Sequence, residues 1–187
     1  MTNTSEYSYN KPCLFGVIIM LISIRDLASK AKPVHYSEKQ DVTELLQGRK
    51  ELVGHGLLTM EFDAQSAYGM TEVQGQFTLP VELICSRCLN PTEQTLFIPF
   101  REVFTQKSEL MPLDESDNTH LVSEDKIELT PYVEETVSLA LPYIPLCSTT
   151  CKGLCPECGQ NRNETSCLCE QDKLDPRLSG LADFFKQ

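Results

Sequence analysis

The sequence predicts an α+β fold, an antiparallel β-sheet with a packed helix and a short C-terminal helix. Three observations lead there. From Val73 to Cys85, apolar residues alternate with residues that are polar or proline at all but the last position, the pattern of a strand with one buried face. Thr130-Pro131 then opens a run in which Val133, Val137, Ala140 and Leu141 fall on one helical face. Finally, eight of the nine cysteines lie in close pairs, six of the nine between Cys147 and Cys169.

The cysteines organise the rest. Cys155-Pro-Glu-Cys158-Gly159 reads as a knuckle turn: two thiolates three residues apart reach one tetrahedral ion, and the glycine lets the backbone turn back. Cys167-Leu-Cys169 supplies a second pair after a polar loop, and Cys85-Ser-Arg-Cys88 repeats the first spacing far upstream. Setting Cys13 aside leaves two sets of four. One set is local, Cys155, Cys158, Cys167 and Cys169. The other, Cys85, Cys88, Cys147 and Cys151, joins distant segments. A pairing of Cys85 and Cys88 with Cys155 and Cys158 stays open at this point. All-thiolate ligation at these spacings points to Zn2+, one or two ions per chain. No cleavable signal peptide is expected, and the spacings are those of metal knuckles rather than a disulfide framework. These are the zinc-knuckle loops of the predicted fold.

Length and charge narrow the function. With 187 residues the chain is one domain, or one with an appendage. A formal charge of −11 argues against a general nucleic-acid binder, because phosphate contacts need Lys and Arg in quantity. It leaves room for a small basic patch, or for basic protein partners. The apolar run Cys13–Ile24 is shorter than the roughly 20 residues of a bilayer span, so no membrane is expected. Translation is expected to begin at Met20, leaving 1–19 as a leader. Residues 20–146 then form a β-rich core with one packed helix, and 147–187 a zinc-knuckle module with a C-terminal helix.

Taken in order, 25–39 reads as a basic loop carrying Lys30, Lys32 and Lys39. Asp41 is placed to cap a short helix through Gln47, with Val42, Leu45 and Leu46 on one face. Leu58, Met60 and Phe62 mark a strand and 64–69 a turn. The long strand 73–85 follows, with Pro80 implying an edge or a bulge. It runs into Cys85-Ser-Arg-Cys88 and returns through Leu96, Ile98 and Phe100, so that pair sits at a hairpin tip. Low hydrophobicity over 108–125 reads as an acidic loop. Thr130 is expected as the N-cap of the helix that Pro142 ends and that delivers Cys147 to the hairpin tip. Asp175-Pro176-Arg177-Leu178 begins the terminal helix, with Leu181, Ala182 and Phe185. No internal repeats are evident.

Together, Cys85-Ser-Arg-Cys88-Leu at a strand end, the helix ending Leu139-Ala-Leu-Pro142, the run Cys151-Lys-Gly-Leu-Cys-Pro-Glu-Cys-Gly-Gln-Asn, and Asp175-Pro-Arg-Leu resemble the YceD-like family, over about 20–185. The resemblance implies a role in accumulation or assembly of large-subunit ribosomal RNA, by binding rather than catalysis, and implies no catalytic residues. Partners would be that RNA or pre-ribosomal proteins, with no small-molecule substrate, in the cytoplasm. Candidate contacts are Arg87 and Lys152 beside metal ligands, Asn161, Arg162 and Asn163 in the knuckle loop, and Arg177; each reads equally as a surface group balancing thiolate charge. A hydrolytic metalloenzyme is disfavoured because His35, His55 and His120 are scattered and no open-coordination site is evident. The alternative is a zinc-thiolate redox switch, in which oxidation releases the metal.

Overall fold

The computed structural model describes residues 20–30, 32–112 and 118–169. The expected leader 1–19, the terminal helix from Asp175 and the candidate contact Arg177 lie outside them. The elements run β1 (Leu21–Ser23), α1 (Ile24–Ala28), β2 (Val34–Gln40), α2 (Thr43–Leu46), β3 (Leu52–His55), β4 (Leu58–Ala67), β5 (Met70–Ile84), β6 (Pro91–Thr105), a 3-10 turn (Ser108–Leu110), β7 (Thr119–Leu121), β8 (Lys126–Glu128) and α3 (Thr130–Ala140).

Six strands form one sheet in the order β2-β4-β5-β6-β7, with β3 pairing β5 beyond the end of β4. All pairings are antiparallel except β6–β7, so the sheet is mixed rather than purely antiparallel. The hairpin β5–β6 is its spine, in unbroken register from Met70↔Thr105 to Ile84↔Pro91. Pro80 sits mid-strand without disrupting it. Its carbonyl accepts from the Gly56 amide at 2.8 Å, so its nitrogen faces the same side, where β4 pairing stops at Thr78 and β3 pairing starts at Val81. The missing N–H thus falls at the junction between two neighbours, where no ladder bond is lost.

One face of the sheet builds the core. Phe62, Phe77 and Phe104 are fully buried, each contributing about 1.5–3 kcal/mol of transfer energy. Tyr36 stacks on Phe62 at 5.1 Å and Phe77 on Phe100 at 4.6 Å. Gly75 lies between Phe62 and Phe100 in register, and a Cβ there would stand 2.1 Å from the Glu61 carbonyl oxygen, so β4 crosses β5 at backbone distance. Val133 and Val137 of α3 and Leu27 of α1 are buried in the same core.

Several local expectations change. The stretch 25–39 is not one loop: it contains α1 and β2. The N-cap Ser23 accepts from the Asp26 amide. The strand β4 continues to Ala67, so the turn is only Tyr68-Gly69. Asp41 accepts from the Thr43 amide at 2.9 Å but is not the cap of α2: Val42 holds that position, Gln47 is the C-cap, and Val42 and Leu46 are buried. Thr130 is not the cap of α3. Leu129 holds that position, and the Thr130 hydroxyl instead accepts from the Met20 amide at 3.4 Å, tying the β1–β8 pair to the helix start. The acidic stretch carries β7, where His120 meets the nearly buried Glu102 at 2.7 Å beneath the Tyr132 ring.

Candidate metal centres

The tip of the β5–β6 hairpin is a tight turn. The Leu89 amide donates to the Cys85 carbonyl at 2.9 Å, and the Cys85 amide donates to the Asn90 carbonyl at 2.9 Å. The turn at Cys155 repeats the pattern: the Gly159 amide donates to the Cys155 carbonyl at 2.9 Å, and the Cys155 amide to the Gln160 carbonyl at 2.8 Å. Gly159 takes φ +71° and Leu89 takes φ +60°. The two knuckles therefore share one turn geometry, in keeping with their shared cysteine spacing. They differ at the left-handed position, where Leu89, a side chain rarely found in that region, stands in place of glycine.

Each knuckle gathers a second cysteine pair. Cys85, Cys88, Cys147 and Cys151 form one cluster and Cys155, Cys158, Cys167 and Cys169 the other, the sulfurs of each lying within 4.8 Å of one another. This is the grouping read as one local and one long-range set, and the open alternative with Cys155 and Cys158 is not the one observed. Within the first cluster, Cys85 and Cys151 sulfurs are 3.9 Å apart and those of Cys88 and Cys147 are 3.7 Å apart. An ion bonded tetrahedrally to sulfur at about 2.3 Å has edges of about 3.8 Å. The donor set and the spacing therefore fit a four-thiolate ion, and both clusters could hold one. In the first centre Cys85, Cys88 and Cys151 are buried and Cys147 is exposed. The second is more open, with Cys155 alone buried.

The local fields already divide the thiols. Burial pushes Cys85 up, but the backbone amides of Cys88, Cys147 and Arg87 outweigh it and bring the thiol down to about 6. Cys155 is held down to about 6 by the amides of Cys158 and Glu157. Cys147 is pushed up to about 12 because the Cys151 and Cys88 sulfurs hold its proton. Cys169 is likewise raised to about 12 by Cys158. In the first centre Cys85 and Cys151 are inclined to be thiolate while Cys147 and Cys88 keep their protons; in the second Cys155 is lowered and Cys169 raised.

The candidate contact residues turn out to knit the centres together. The Arg87 guanidinium donates to the Cys151 carbonyl at 3.0 Å, and the Arg87 carbonyl accepts from the Leu154 amide at 3.0 Å. Gly153 lies between, at φ +73°, where a Cβ would come 3.0 Å from the Arg87 carbonyl oxygen. Asn163 accepts from the Lys152 amide at 2.8 Å and donates to the Cys151 sulfur at 3.3 Å. Asn161 receives the Asn163 amide at 3.0 Å and donates to Glu164, which also accepts from Asn90 at 3.2 Å. Asn90, Gly153 and Glu164 were not singled out from sequence; only Gly153, a lone glycine between cysteines, carried a local signal. The Lys152 and Arg162 side chains form no ion pair among the described residues and line a small cleft of about 150 Å³ with Ser166 and Cys167. The hairpin is closed against the chain that follows α3: Ser86 donates to the Pro145 carbonyl at 2.8 Å and Gln94 to the Leu146 carbonyl at 3.0 Å.

Comparison with known proteins places this arrangement. An uncharacterised protein of Mycobacterium tuberculosis (strain ATCC 25618 / H37Rv) is 31% identical over 129 residues, which is 68% of this chain and 61% of that protein. The uncharacterised protein YlbN of Bacillus subtilis (strain 168) is 31% identical over 62% of this chain and 68% of its own length. A chloroplastic protein of Arabidopsis thaliana named large ribosomal RNA subunit accumulation protein YCED homolog 1 is 25% identical over 57% of this chain and 42% of its own length. The chain thus spans about three fifths of the mycobacterial relative it matches. No solved structure matches it significantly. No helix among the described residues is long and apolar enough to cross a membrane. The family model described as large ribosomal RNA subunit accumulation protein YceD matches residues 73–185, from the long strand through both cysteine clusters, and the chain belongs to that family.

Proposed function

We propose that this protein is a cytoplasmic, non-enzymatic ribosome biogenesis factor that promotes accumulation of large-subunit ribosomal RNA, with two zinc ions fixing the shape of its binding end. The observation that carries the reading is the gathering of eight cysteines into two four-sulfur clusters at the tip of the β5–β6 hairpin, in a family whose plant members bear that name. Four protein ligands per ion leave no open coordination position, so zinc here would supply cross-linking rather than Lewis-acid chemistry. Cys85, Cys88, Cys147 and Cys151 would hold the first ion and Cys155, Cys158, Cys167 and Cys169 the second. Each such site carries a formal charge of −2, which Arg87, Lys152 and Arg162 offset. Lys152 and Arg162, side by side at the small cleft, are the residues best disposed to meet a phosphate. Arg87, Asn161 and Asn163 support them by holding the loop, and Arg177 remains a candidate contact. On this reading 20–146 is the scaffold and 147–187 the module it presents.

The test is zinc content of the native protein by mass spectrometry, with crosslinking to RNA in cells and large-subunit ribosomal RNA abundance after depletion. Two zincs, crosslinks to that RNA and its selective loss are expected. Unchanged ribosomal RNA on depletion would overturn the role. The second reading, a zinc-thiolate redox switch, rests on the thiolate character of Cys85 and Cys155; thiols inert to mild peroxide would exclude it.

A further inference from the structure

The face of the sheet opposite the core is covered by no other element among the described residues. Strands β4, β5 and β6 present there Thr59, Glu61, Gln76, Thr78, Pro99 and the ring of Phe97, the last 66% exposed. Thr59, Thr78 and Phe97 form one row across the three strands. Further along the same hairpin, Glu82 and Glu93 stand directly opposite each other. Like charges facing across an antiparallel pair are destabilising, and neither carboxylate has an ion-pair partner among the described residues. The two acids border a cleft of about 530 Å³ lined also by Gly54, Gly56, Pro80 and Thr95. The glycines keep it open: a Cβ on Gly54 would reach within 3.4 Å of the Glu82 carboxylate, and one on Gly56 within 3.2 Å of the Pro80 ring.

From these features we infer that this face docks an extended, lysine- or arginine-rich protein segment. A cationic side chain fills the cleft between Glu82 and Glu93, and an apolar side chain lies on Phe97. The spacing sets the motif. Residues 93 and 97 share the face four positions apart, about 13 Å at the rise of a strand, so the bound segment carries its basic and apolar residues four apart in extended form. The charge decides against the other partner class. A phosphate chain laid from the cleft to Phe97 would meet Glu82 and Glu93 directly and Glu61 beyond, against Lys39 at the far end of the Phe97 row, in a protein of net charge −11. The cleft also explains why an unpaired like-charge couple persists in the most regular ladder of the fold: a cation from outside completes it.

This inference names a partner class for the binding role proposed above and draws its cellular meaning from that reading, but its test is separate. The 15N-labelled, zinc-loaded full chain is titrated with three probes: a twelve-residue peptide of Lys and Arg with one Leu four positions from a Lys, the same peptide with Glu for every base, and a twelve-nucleotide single-stranded RNA. The basic peptide alone should shift the amides of Glu82, Glu93, Thr95 and Phe97. Glu82→Gln with Glu93→Gln should weaken it by about tenfold or more, as expected for a lost charge pair, and should raise the melting temperature, because a repulsion is removed. RNA shifts on these amides, basic-peptide shifts confined to other parts of the chain, or undiminished binding by the double variant would overturn it. Failure here leaves the ribosomal RNA reading standing. Unchanged ribosomal RNA in depleted cells removes that reading and not this one.

Discussion

The side-chain amide of Asn163 lies 3.3 Å from the sulfur of Cys151, so the loop of one cysteine cluster donates a hydrogen bond to a ligand of the other. Such partners of metal ligands commonly carry a 10–100-fold effect on affinity. Asn163→Asp keeps the oxygen that accepts from the Lys152 amide but removes the donor and sets a negative charge beside the thiolates. Zinc affinity of the first centre should fall about tenfold or more, and that of the second much less. Chelator competition followed by native mass spectrometry measures both.

Removing a ligand tests the grouping itself. Cys88→Ser should release one zinc, leave the Cys155 centre filled, and lower the melting temperature, because the first centre joins the hairpin to the chain after α3. Loss of both metals, or of neither, would contradict that assignment.

Acidity should strip the first centre in two stages. At neutral pH Cys147, pushed up to about 12, holds its proton, and so does Cys88, raised by burial against the pull of the Asn90 amide. Metal uptake must displace both, so affinity should fall at least about a hundredfold for each pH unit between 8 and 6.5. Cys85, brought down to about 6, is thiolate over that range. Its lowered value means that stabilisation of the thiolate is present at high pH and disappears as pH falls through about 6. Below that point a third proton competes and the slope steepens. Zinc titrations across pH with a colorimetric chelator would show the break; a flat profile would refute it.

Gly75 should tolerate no side chain. Alanine there would place its Cβ 2.1 Å from the Glu61 carbonyl oxygen and 2.4 Å from the Phe62 Cα, both backbone atoms that move only with the strand. Gly75→Ala should cost about 3 kcal/mol or more, read by denaturant unfolding of the zinc-loaded protein.

Leu89 offers the opposite test. It is 59% exposed and sits at φ +60° in a turn where the second knuckle has Gly159. Leu89→Gly should relieve roughly 1 kcal/mol of backbone strain, offset in part by the added freedom of the unfolded chain. A small rise in melting temperature is expected, and a marked fall would show that the leucine side chain supports the knuckle.

What could be read from the sequence was whatever carried a strong periodic or chemical signal. The alternation Val73–Cys85 marked β5, buried on one face only. Val133, Val137 and Leu141 marked α3, and the cysteine spacings marked both clusters before any geometry. What escaped was short or polar. β2 carries no apolar stripe: His35, Ser37, Glu38 and Lys39 are all exposed and Val34 and Tyr36 only half-buried. β7 has three residues, too few for a period to register. The Thr130 cap failed because its hydroxyl found a partner 110 residues away, and no local pattern encodes that.

The long reach of the first centre sets an order of events during synthesis. Cys85 and Cys151 are 66 residues apart, and Cys88 and Cys147 are 59 apart. At about 5–20 residues per second, roughly 3–13 seconds separate emergence of the first sulfur pair from the second. The hairpin must wait through that interval with two thiols and no complete cage, whereas the second centre draws all its ligands from 155–169 and can close almost as soon as it is made. Because Cys151 is made before Cys155, the first cage is complete before the second begins; the nascent chain would therefore acquire its metals in chain order, and ion capture by the older knuckle would mark the moment at which the hairpin and the segment after α3 are joined.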